Sequence, residues 1–447
     1  MIKKLLIANR GEIARRIGRT ARRMGIRVVA VYSEADRAAP FVREADEAVL
    51  LGPPPPKESY ANVDAIVAAL KSSGADGLHP GYGFLSESEN LVAACLDAGV
   101  TFVGPSVHSI RAMGSKIESK IAMIEAGVPV VPGPVHALEH EDDAVKAAEA
   151  VGWPVMLKAS AGGGGIGMAR CKNDKQLRSA FEDARKKGEQ FFGSPRVFIE
   201  KLIERPHHIE VQVLGDKHGN VVHLFERECS VQRRNQKVLE ETPSPLLDDD
   251  TRARLCDAAV RAARAVRYEN AGTVEFVADE HKNFYFLEMN TRLQVEHPIT
   301  EATLGIDLVE HQLRVAAGEP LSLPALERRG HAIELRVCAE DPDKRFFPQP
   351  GTLGEVTWPA GDGIRVDAGV ESGSVVPPYY DSLLAKVIGH GASRAEAIAR
   401  LRAALERTSI GGLKSNLEMH KRILDDEQFQ AGHTTTAFIE ERLGLKA

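Results

Sequence analysis

The chain opens on the apolar run Leu5 to Ala8, turns at Gly11, and continues with Ile13, Ile17 and Met24 at helical spacing before Gly25. Val28 to Tyr32 follows as a second apolar run, so the opening predicts a β-α-β unit. Further apolar runs at Ala48–Leu51, Gly77–Leu78 and Thr101–Val103 alternate with helical stretches near 61–73 and 89–98. That rhythm predicts a parallel sheet covered by helices, ending between Pro105 and Ile110. Pro53 to Pro56 read as a stiff loop within it.

Between about 131 and 203 the pattern becomes that of a small α+β lobe. It has short strands in PVMLKAS, MARC and RVFIEKLI, a glycine run at 162–165, and a charged helix over 174–188. Residues 204–330 read as longer antiparallel strands (HHIEVQVLGD, VVHLFERECS, GTVEFVAD, FYFLEMN) with helices near 249–266 and 307–317. The remainder predicts one strand each in IELRVCAE, GTLGEVTW and LLAKVIGH, then helices to the C-terminus.

Length and composition fit this division. The 447 residues, 43% of them hydrophobic, suit about three domains at roughly 150 residues each, which the pattern places at 1–110, 111–330 and 331–447. A formal charge of −6 lacks the basic footprint of a nucleic-acid binder. No window approaches the roughly 18 apolar residues needed to span a bilayer, and the N-terminus has no signal-peptide core. A cytoplasmic protein is therefore expected, with neither nucleic acid nor membrane among its partners. Cys95, Cys171, Cys229, Cys256 and Cys338 are scattered singly and read as reduced, packed thiols.

Lys158 ends an apolar strand and is followed by Ala161-Gly-Gly-Gly-Gly-Ile-Gly167. Successive residues without Cβ can bring backbone N–H groups against phosphate oxygens beside a lysine ammonium. The spacing is neither that of a P-loop nor that of a dinucleotide fingerprint. Glycines alone do not separate such a cradle from a flexible hairpin tip.

Glu275 in GTVEFVAD and Glu288 in FYFLEMN sit among apolar strand residues, an expensive placement unless compensated. A hairpin turning through DEHKN, centred between His281 and Lys282, would set the two carboxylates face to face, with Asn290 two residues further on the same face. Two carboxylates and an amide oxygen are hard ligands suited to magnesium. Bridging of the pair by structural lysines or arginines is the alternative. Next, Arg292, Gln294 and Glu296 alternate, and an extended segment would project all three to that side. A cation, an amide and a carboxylate beside a nucleotide can bind a small anion, polarise it and remove its proton. The charged run Glu226 to Lys237 reads, by itself, as a solvated stretch.

Six ordered motifs carry a resemblance: IANRGEIA at 7–14, HPGYGFLSE at 79–87, GSK at 114–116, KASAGGGGIGM at 158–168, QRRNQKV at 232–238 and EMNTRLQVEHPITE at 288–301. Together they resemble the biotin carboxylase family, the ATP-grasp component of biotin-dependent acyl-CoA carboxylases such as acetyl-CoA carboxylase of fatty acid biosynthesis. The resemblance implies an α/β fold: an N-terminal Rossmann-like domain, an ATP-grasp lid (about 131–203) and core, and a C-terminal mixed α+β domain. It implies a ligase that uses ATP, magnesium or manganese, and bicarbonate to make carboxyphosphate, and passes its CO2 to biotin.

By the same resemblance, Lys116 and Lys158 contact phosphates, Gly164, Gly165 and Met168 belong to the lid over the nucleotide, and Glu200, Lys201, Leu202 and Ile203 form the adenine hinge. His208, Gln232 and Asn235 complete the ATP site, and Glu275, Glu288 and Asn290 hold the metal. Lys237, Arg292, Gln294 and Val295 form the bicarbonate pocket, Glu296 is the base, and Arg292 keeps that base aligned with the anion. Arg336 stabilises the enolate-like oxygen of biotin, beside Tyr82 and Gly83. Ile166 and Asn235 depart from the residues many members carry. The sequence shows neither a biotin-accepting Met-Lys-Met segment nor a carboxyltransferase, so biotin is expected on a separate biotin carboxyl carrier protein, with a carboxyltransferase as further partner. The rival readings are another ATP-grasp ligase and a non-catalytic subunit that binds nucleotide.

Arg15, Arg16, Arg19, Arg22 and Arg23 crowd one face of the first helix. Without acidic partners they repel one another, and the family's homodimers use this helix. A homodimer with Arg16 and Arg19 at its interface is expected.

Overall fold

The structure, a computed structural model, describes residues 1–160 and 167–445. Gly164, Gly165 and Ile166 lie outside them. Five parallel strands, β1 (Lys4–Ile7), β2 (Arg27–Ser33), β3 (Glu47–Gly52), β4 (Gly77–His79) and β5 (Thr101–Phe102), form a sheet in the order β3-β2-β1-β4-β5. The near-continuous apolar runs of β1, β2 and β4 follow from burial on both faces. Helix α1 (Gly11–Arg23) packs Ile13, Ile17 and Ala21 with Leu5, Ile7 and Val28 on one face. Ile66, Leu70 and Leu91 cover Leu6, Val29 and Leu78 on the other. The chain order reverses between β1 and β4, which opens a crevice beyond their C-terminal ends.

The lobe is a three-stranded antiparallel sheet of β6 (Val155–Ala159), β7 (Met168–Cys171) and β8 (Val197–Lys201) in the order β7-β6-β8. Helices Glu141–Val151 and Asp174–Phe192 cover one side through Val145, Leu177 and Phe181.

The third sheet has eight strands. β9 (His207–Gly215), β10 (Val221–Arg233), β11 (Gln236–Thr242), β12 (Asn270–Ala278), β13 (Phe284–Asn290) and β14 (His331–Cys338) stand in the order β13-β12-β9-β10-β11-β14. Strands Leu383–Gly391 and Ile364–Ala368 complete it. The sheet thus runs unbroken across residue 330 through the β11–β14 ladder.

Three expectations need correction. GTLGEVTW is not one strand: Gly351–Thr352 pairs with Val375–Val376, and Val356–Thr357 with Ser409–Ile410. The partner changes where the Gly354 N–H donates to the Gly411 carbonyl at 2.8 Å. Helices Val107–Gly114, Lys116–Glu125, Glu141–Val151 and His297–Leu304 had no reading in the sequence. Val107–Gly114 and Lys116–Glu125 start at Ser106 and Ser115, which accept from the Ser109 and Glu118 N–H groups, whereas Glu141–Val151 and His297–Leu304 start without a side-chain cap.

The arginines of α1, too, differ from expectation: they are not without acids. Arg16 is buried and donates to Glu301 at 2.5 Å and Asp307 at 2.8 Å. Arg15 pairs with Glu44, Arg19 with Asp367, and Arg23 with Asp307 and Glu310. Repulsion relieved by a second copy is therefore not an argument for a dimer. Among the described residues, no helix is long and apolar enough to cross a membrane.

Candidate active site

A cavity of about 790 Å³ opens where the parallel sheet's crevice, the lobe and the eight-stranded sheet meet. The crevice supplies Asn9 to Ile13 and Tyr82 to Phe84, and the lobe supplies Lys158, Met168 and 200–203. From the large sheet come His208, Gln232, Lys237, Glu275, Glu288 and Asn290, and then Arg292, Gln294 to Glu296, and Arg336. Asn235 joins them from the β10–β11 turn, at φ 63°.

The β12–β13 hairpin sets Glu275 directly opposite Glu288 and Thr273 opposite Asn290. The register shifts between Glu275 and Phe276, leaving Leu287 as an extra residue on β13. That bulge decides the faces. Phe284, Phe286 and Met289 all enter the core under β12, with Phe286 also reaching the cavity wall, while Glu288 and Asn290 turn to the cavity. Strict alternation would have put Glu288 on the side of Phe286.

A chain of ion pairs crosses the cavity floor. Lys237 Nζ donates to Glu275 at 2.8 Å, to Glu296 at 2.7 Å and to Glu210. Arg336 donates to Glu296 at 3.0 Å and to Glu240 at 2.6 Å. His208 lies 3.2 Å from Glu275, and Gln294 donates to Glu275 at 2.8 Å. Burial opposes ionisation of Glu275, but Lys237 and His208 outweigh it and hold its carboxyl well below the usual range. Burial is likewise outweighed at Glu296 by Lys237, Arg336 and Arg227. Against its own burial, Lys237 is held charged by Glu210, Glu275 and Glu296.

At the other end, Lys116 donates to Glu288 at 2.7 Å. The Glu200 carboxylate takes Lys158 at 2.5 Å and Lys120 at 3.0 Å, so its side chain faces lysines, while residues 200–203 line the cavity. The bridging of carboxylates by lysines, the alternative to metal binding, is therefore present. It does not displace the metal reading: the three candidate ligands all offer hard oxygens, Lys237 and His208 favour the charged form of Glu275, and a lysine on each carboxylate marks the pair as a place that draws positive charge.

One expected contact is absent. Arg292 donates to Glu87 at 3.1 Å and to Asn290 at 2.9 Å, not to Glu296. Residues 291–296 turn rather than extend, because Arg227 grips Gln294 at 2.6 Å and Glu87 accepts the Thr291 N–H. Glu296 then precedes helix His297–Leu304, and Lys237 and Arg336 align it instead.

Sequence reasoning missed Glu210 and read Arg227 within a solvated run, yet both are wholly buried, as are Glu226 and Glu228 on the same strand. Arg227 donates to Glu210, Gln212, Thr273, Thr300 and Gln294 and so fixes the floor on which Lys237 rests. The signal was available: Glu210 in HHIEVQV and Arg227 in VVHLFERECS are charges inside apolar strands, the same mark that singled out Glu275.

Residues 1–110 match the family described as biotin carboxylase, N-terminal domain, and 334–441 match the biotin carboxylase C-terminal domain. Residues 115–324 match the carbamoyl-phosphate synthase L chain, ATP binding domain. A biotin carboxylase of Halalkalibacterium halodurans is 52% identical over 448 residues, spanning 100% of this chain and 99% of that protein. A pyruvate carboxylase subunit of Methanothermobacter thermautotrophicus is 49% identical over 450 residues, spanning 100% of this chain and 91% of that one. Among solved structures, the biotin carboxylase domain dimer of Hydrogenobacter thermophilus 2-oxoglutarate carboxylase, with MgADP, ADP and bicarbonate, superposes with a TM-score of 0.95 at 45% identity, covering 100% of this chain and 98% of that one.

Proposed function

Because the chain belongs to the biotin carboxylase family, we propose how its cavity divides the labour of ATP-dependent biotin carboxylation, the first half-reaction of biotin-dependent carboxylases. Bicarbonate attacks the γ-phosphorus of ATP to give carboxyphosphate and ADP. Carboxyphosphate then separates into CO2 and phosphate, and the ureido nitrogen of biotin takes the CO2.

Lys116 and Lys158 bind phosphates, Met168 lines the same cavity, and the family resemblance gives Gly164 and Gly165 a share in phosphate binding. Residues 200–203, with His208, Gln232 and Asn235, hold adenine and ribose. Glu275, Glu288 and Asn290 would hold magnesium, with manganese as the alternative, and the ion supplies positive charge to the transferring phosphate when bound. Arg292, Lys237, Gln294 and the Val295 N–H bind bicarbonate and the oxyanions formed from it.

Glu296 takes the bicarbonate proton. Its carboxylate is a weak base while Lys237 and Arg336 both hold it. Anions arriving in the pocket draw those cations away and raise its basicity. Arg336, once shared with the substrate, faces the ureido oxygen of biotin beside Tyr82 and Gly83, and the phosphate released serves as base for biotin.

The observation that carries this reading is the unbroken ion-pair chain Glu275–Lys237–Glu296–Arg336. It links the nucleotide-metal carboxylates to the biotin arginine within one cavity. The test is bicarbonate-dependent ADP release with and without free biotin. Stimulation by biotin is expected, and ATP cleavage indifferent to both bicarbonate and biotin overturns the reading.

Biotin arrives on a biotin carboxyl carrier protein, and a carboxyltransferase consumes the product. The relative named as a pyruvate carboxylase subunit supports a chain that works beside others. The dimer of the Hydrogenobacter domain supports a homodimer.

A further inference from the structure

Glu12 belongs to the IANRGEIA motif, yet it holds neither nucleotide nor bicarbonate in the proposed reaction. It stands in the first turn of α1, buried, and lines the cavity at the crevice. The Tyr82 hydroxyl donates to Glu12 Oε1, the Lys386 ammonium lies 3.2 Å from the same oxygen, and Oε2 is buried without a partner. Lys386, wholly buried on strand Leu383–Gly391, also donates to the Val295 carbonyl at 2.9 Å. That carbonyl belongs to the peptide joining Val295 to Glu296. Tyr82 is fixed a second time, its own carbonyl accepting from Asn9 Nδ2 at 2.7 Å.

One continuous polar path therefore runs from Tyr82 through Glu12 and Lys386 to the Val295–Glu296 peptide, joining segments from both ends of the chain. A buried carboxylate–ammonium pair is a poor source of stability compared with apolar side chains of the same shape. Its use lies in fixing one arrangement. CO2 released beside Glu296 must meet the biotin nitrogen in the same cavity, and a misplacement of about 1 Å there can cost about a hundredfold in rate.

We propose that Glu12 is a positioning residue that couples the biotin wall at Tyr82 to the bicarbonate loop at Val295–Glu296 through Lys386. The proposal rests on Tyr82 forming part of the biotin wall. It adds a residue that touches neither substrate but sets the distance between their sites.

The test compares KM for free biotin and KM for MgATP in Tyr82→Ala, Tyr82→Phe, Glu12→Gln and the Tyr82→Phe/Glu12→Gln double variant. The expected result is a biotin KM raised about fivefold to tenfold in Tyr82→Phe, which loses the hydrogen bond to Glu12, and in Glu12→Gln, whose amide oxygen still accepts from Tyr82 but which loses the charge facing Lys386. The double variant shows no further rise, because both changes interrupt the same path from Tyr82 to Lys386. KM for MgATP stays within about twofold of wild type. An unchanged biotin KM in Glu12→Gln beside a raised one in Tyr82→Ala overturns the coupling and leaves the biotin wall standing. An unchanged biotin KM in all four variants overturns both. Effects that multiply in the double variant, or equal losses toward biotin and MgATP, give Glu12 a structural role alone and overturn the proposal. Should Lys386 without its counter-ion prevent folding, Glu12→Gln/Lys386→Met carries the measurement with both partners neutral, and a wild-type biotin KM there overturns it as well.

Discussion

At the scale of single residues, the chemistry resides in charges placed where a strand should be apolar, and each has a distinct expected loss. Glu288→Gln keeps a polar atom for Lys116 but removes a charge from the metal face. Nucleotide turnover should fall at least about tenfold while nucleotide binding changes less; titration of MgATP beside a turnover assay reads both, and unchanged turnover means Glu288 is not a ligand. Arg336→Ala should lower biotin carboxylation by about two orders of magnitude, as loss of an oxyanion donor does. Bicarbonate-dependent ATP cleavage should fall less, since Lys237 still holds Glu296; equal falls would put Arg336 earlier in the reaction. Glu240 shows the opposite electrostatics. Burial, only partly offset by Arg336, raises its carboxyl to about 7, and across the ladder stands Glu334, whose two oxygens are buried without partners. A raised carboxyl lends its stability in full below the ordinary carboxylate range and loses it as pH rises to and through about 7, a swing of roughly 3 kcal/mol. Glu240→Gln, neutral throughout, should therefore gain on wild type in urea unfolding between about pH 5 and about pH 8. A stability difference that is flat with pH would show Glu240 ionised throughout.

At the scale of elements, legibility followed the strength of the local signal. The β-α-β opening and the β12–β13 hairpin were readable because apolar runs and turn residues bounded them sharply. The facing of Glu275 and Glu288 was readable for the same reason, although the Leu287 bulge that produces it was not: no residue type announces a bulge in FYFLEMN. Partner choice was beyond reach wherever it depended on distant segments, as at Gly354, or on a side chain such as Glu87 that reaches Arg292 across the fold. The lid tether is another such case. Lys120 projects from the helix Lys116–Glu125, which packs on the body of the molecule, and meets Glu200 on lid strand β8, where Lys158 of β6 also ends. Glu200→Gln leaves one carbonyl oxygen for two buried ammonium groups and so loosens the lid from its anchor. Hydrogen exchange across Val155–Ala159 and Val197–Lys201 should quicken, and KM for MgATP should rise about tenfold, the scale of a lost charged hydrogen bond. Unchanged exchange in both strands would show that the lid is held by its apolar contacts alone.

At the scale of the whole molecule, the arginines of α1 act as a fastening between distant parts of the chain. Arg16 reaches Glu301 on helix His297–Leu304 and Asp307 at the cap of the next helix. Glu301 also takes Arg365 at 2.7 Å, and Arg365 and Arg19 share Asp367 on strand Ile364–Ala368. One network, buried at Arg16, Glu301 and Asp367, thus binds the parallel sheet's first helix to the far edge of the eight-stranded sheet. Composition could not reveal it, since a helix with five arginines looks the same whether its acids lie on a second copy or three hundred residues away. The consequence is that reversing Arg16 does not test an interface cleanly. Arg16→Glu buries a third carboxylate beside Glu301 and Asp307 and should lower unfolding stability by about 3–5 kcal/mol in monomer and dimer alike. Arg19→Glu, at a side chain 55% exposed, should cost far less, because the paired Arg365 remains on Asp367. Urea unfolding of both variants, with sedimentation at low and high salt, separates the two roles. Equal destabilisation by the two reversals would mean that the network does not concentrate at Arg16. Dissociation in Arg19→Glu without loss of stability would assign the exposed end of the same helix to contact between protomers.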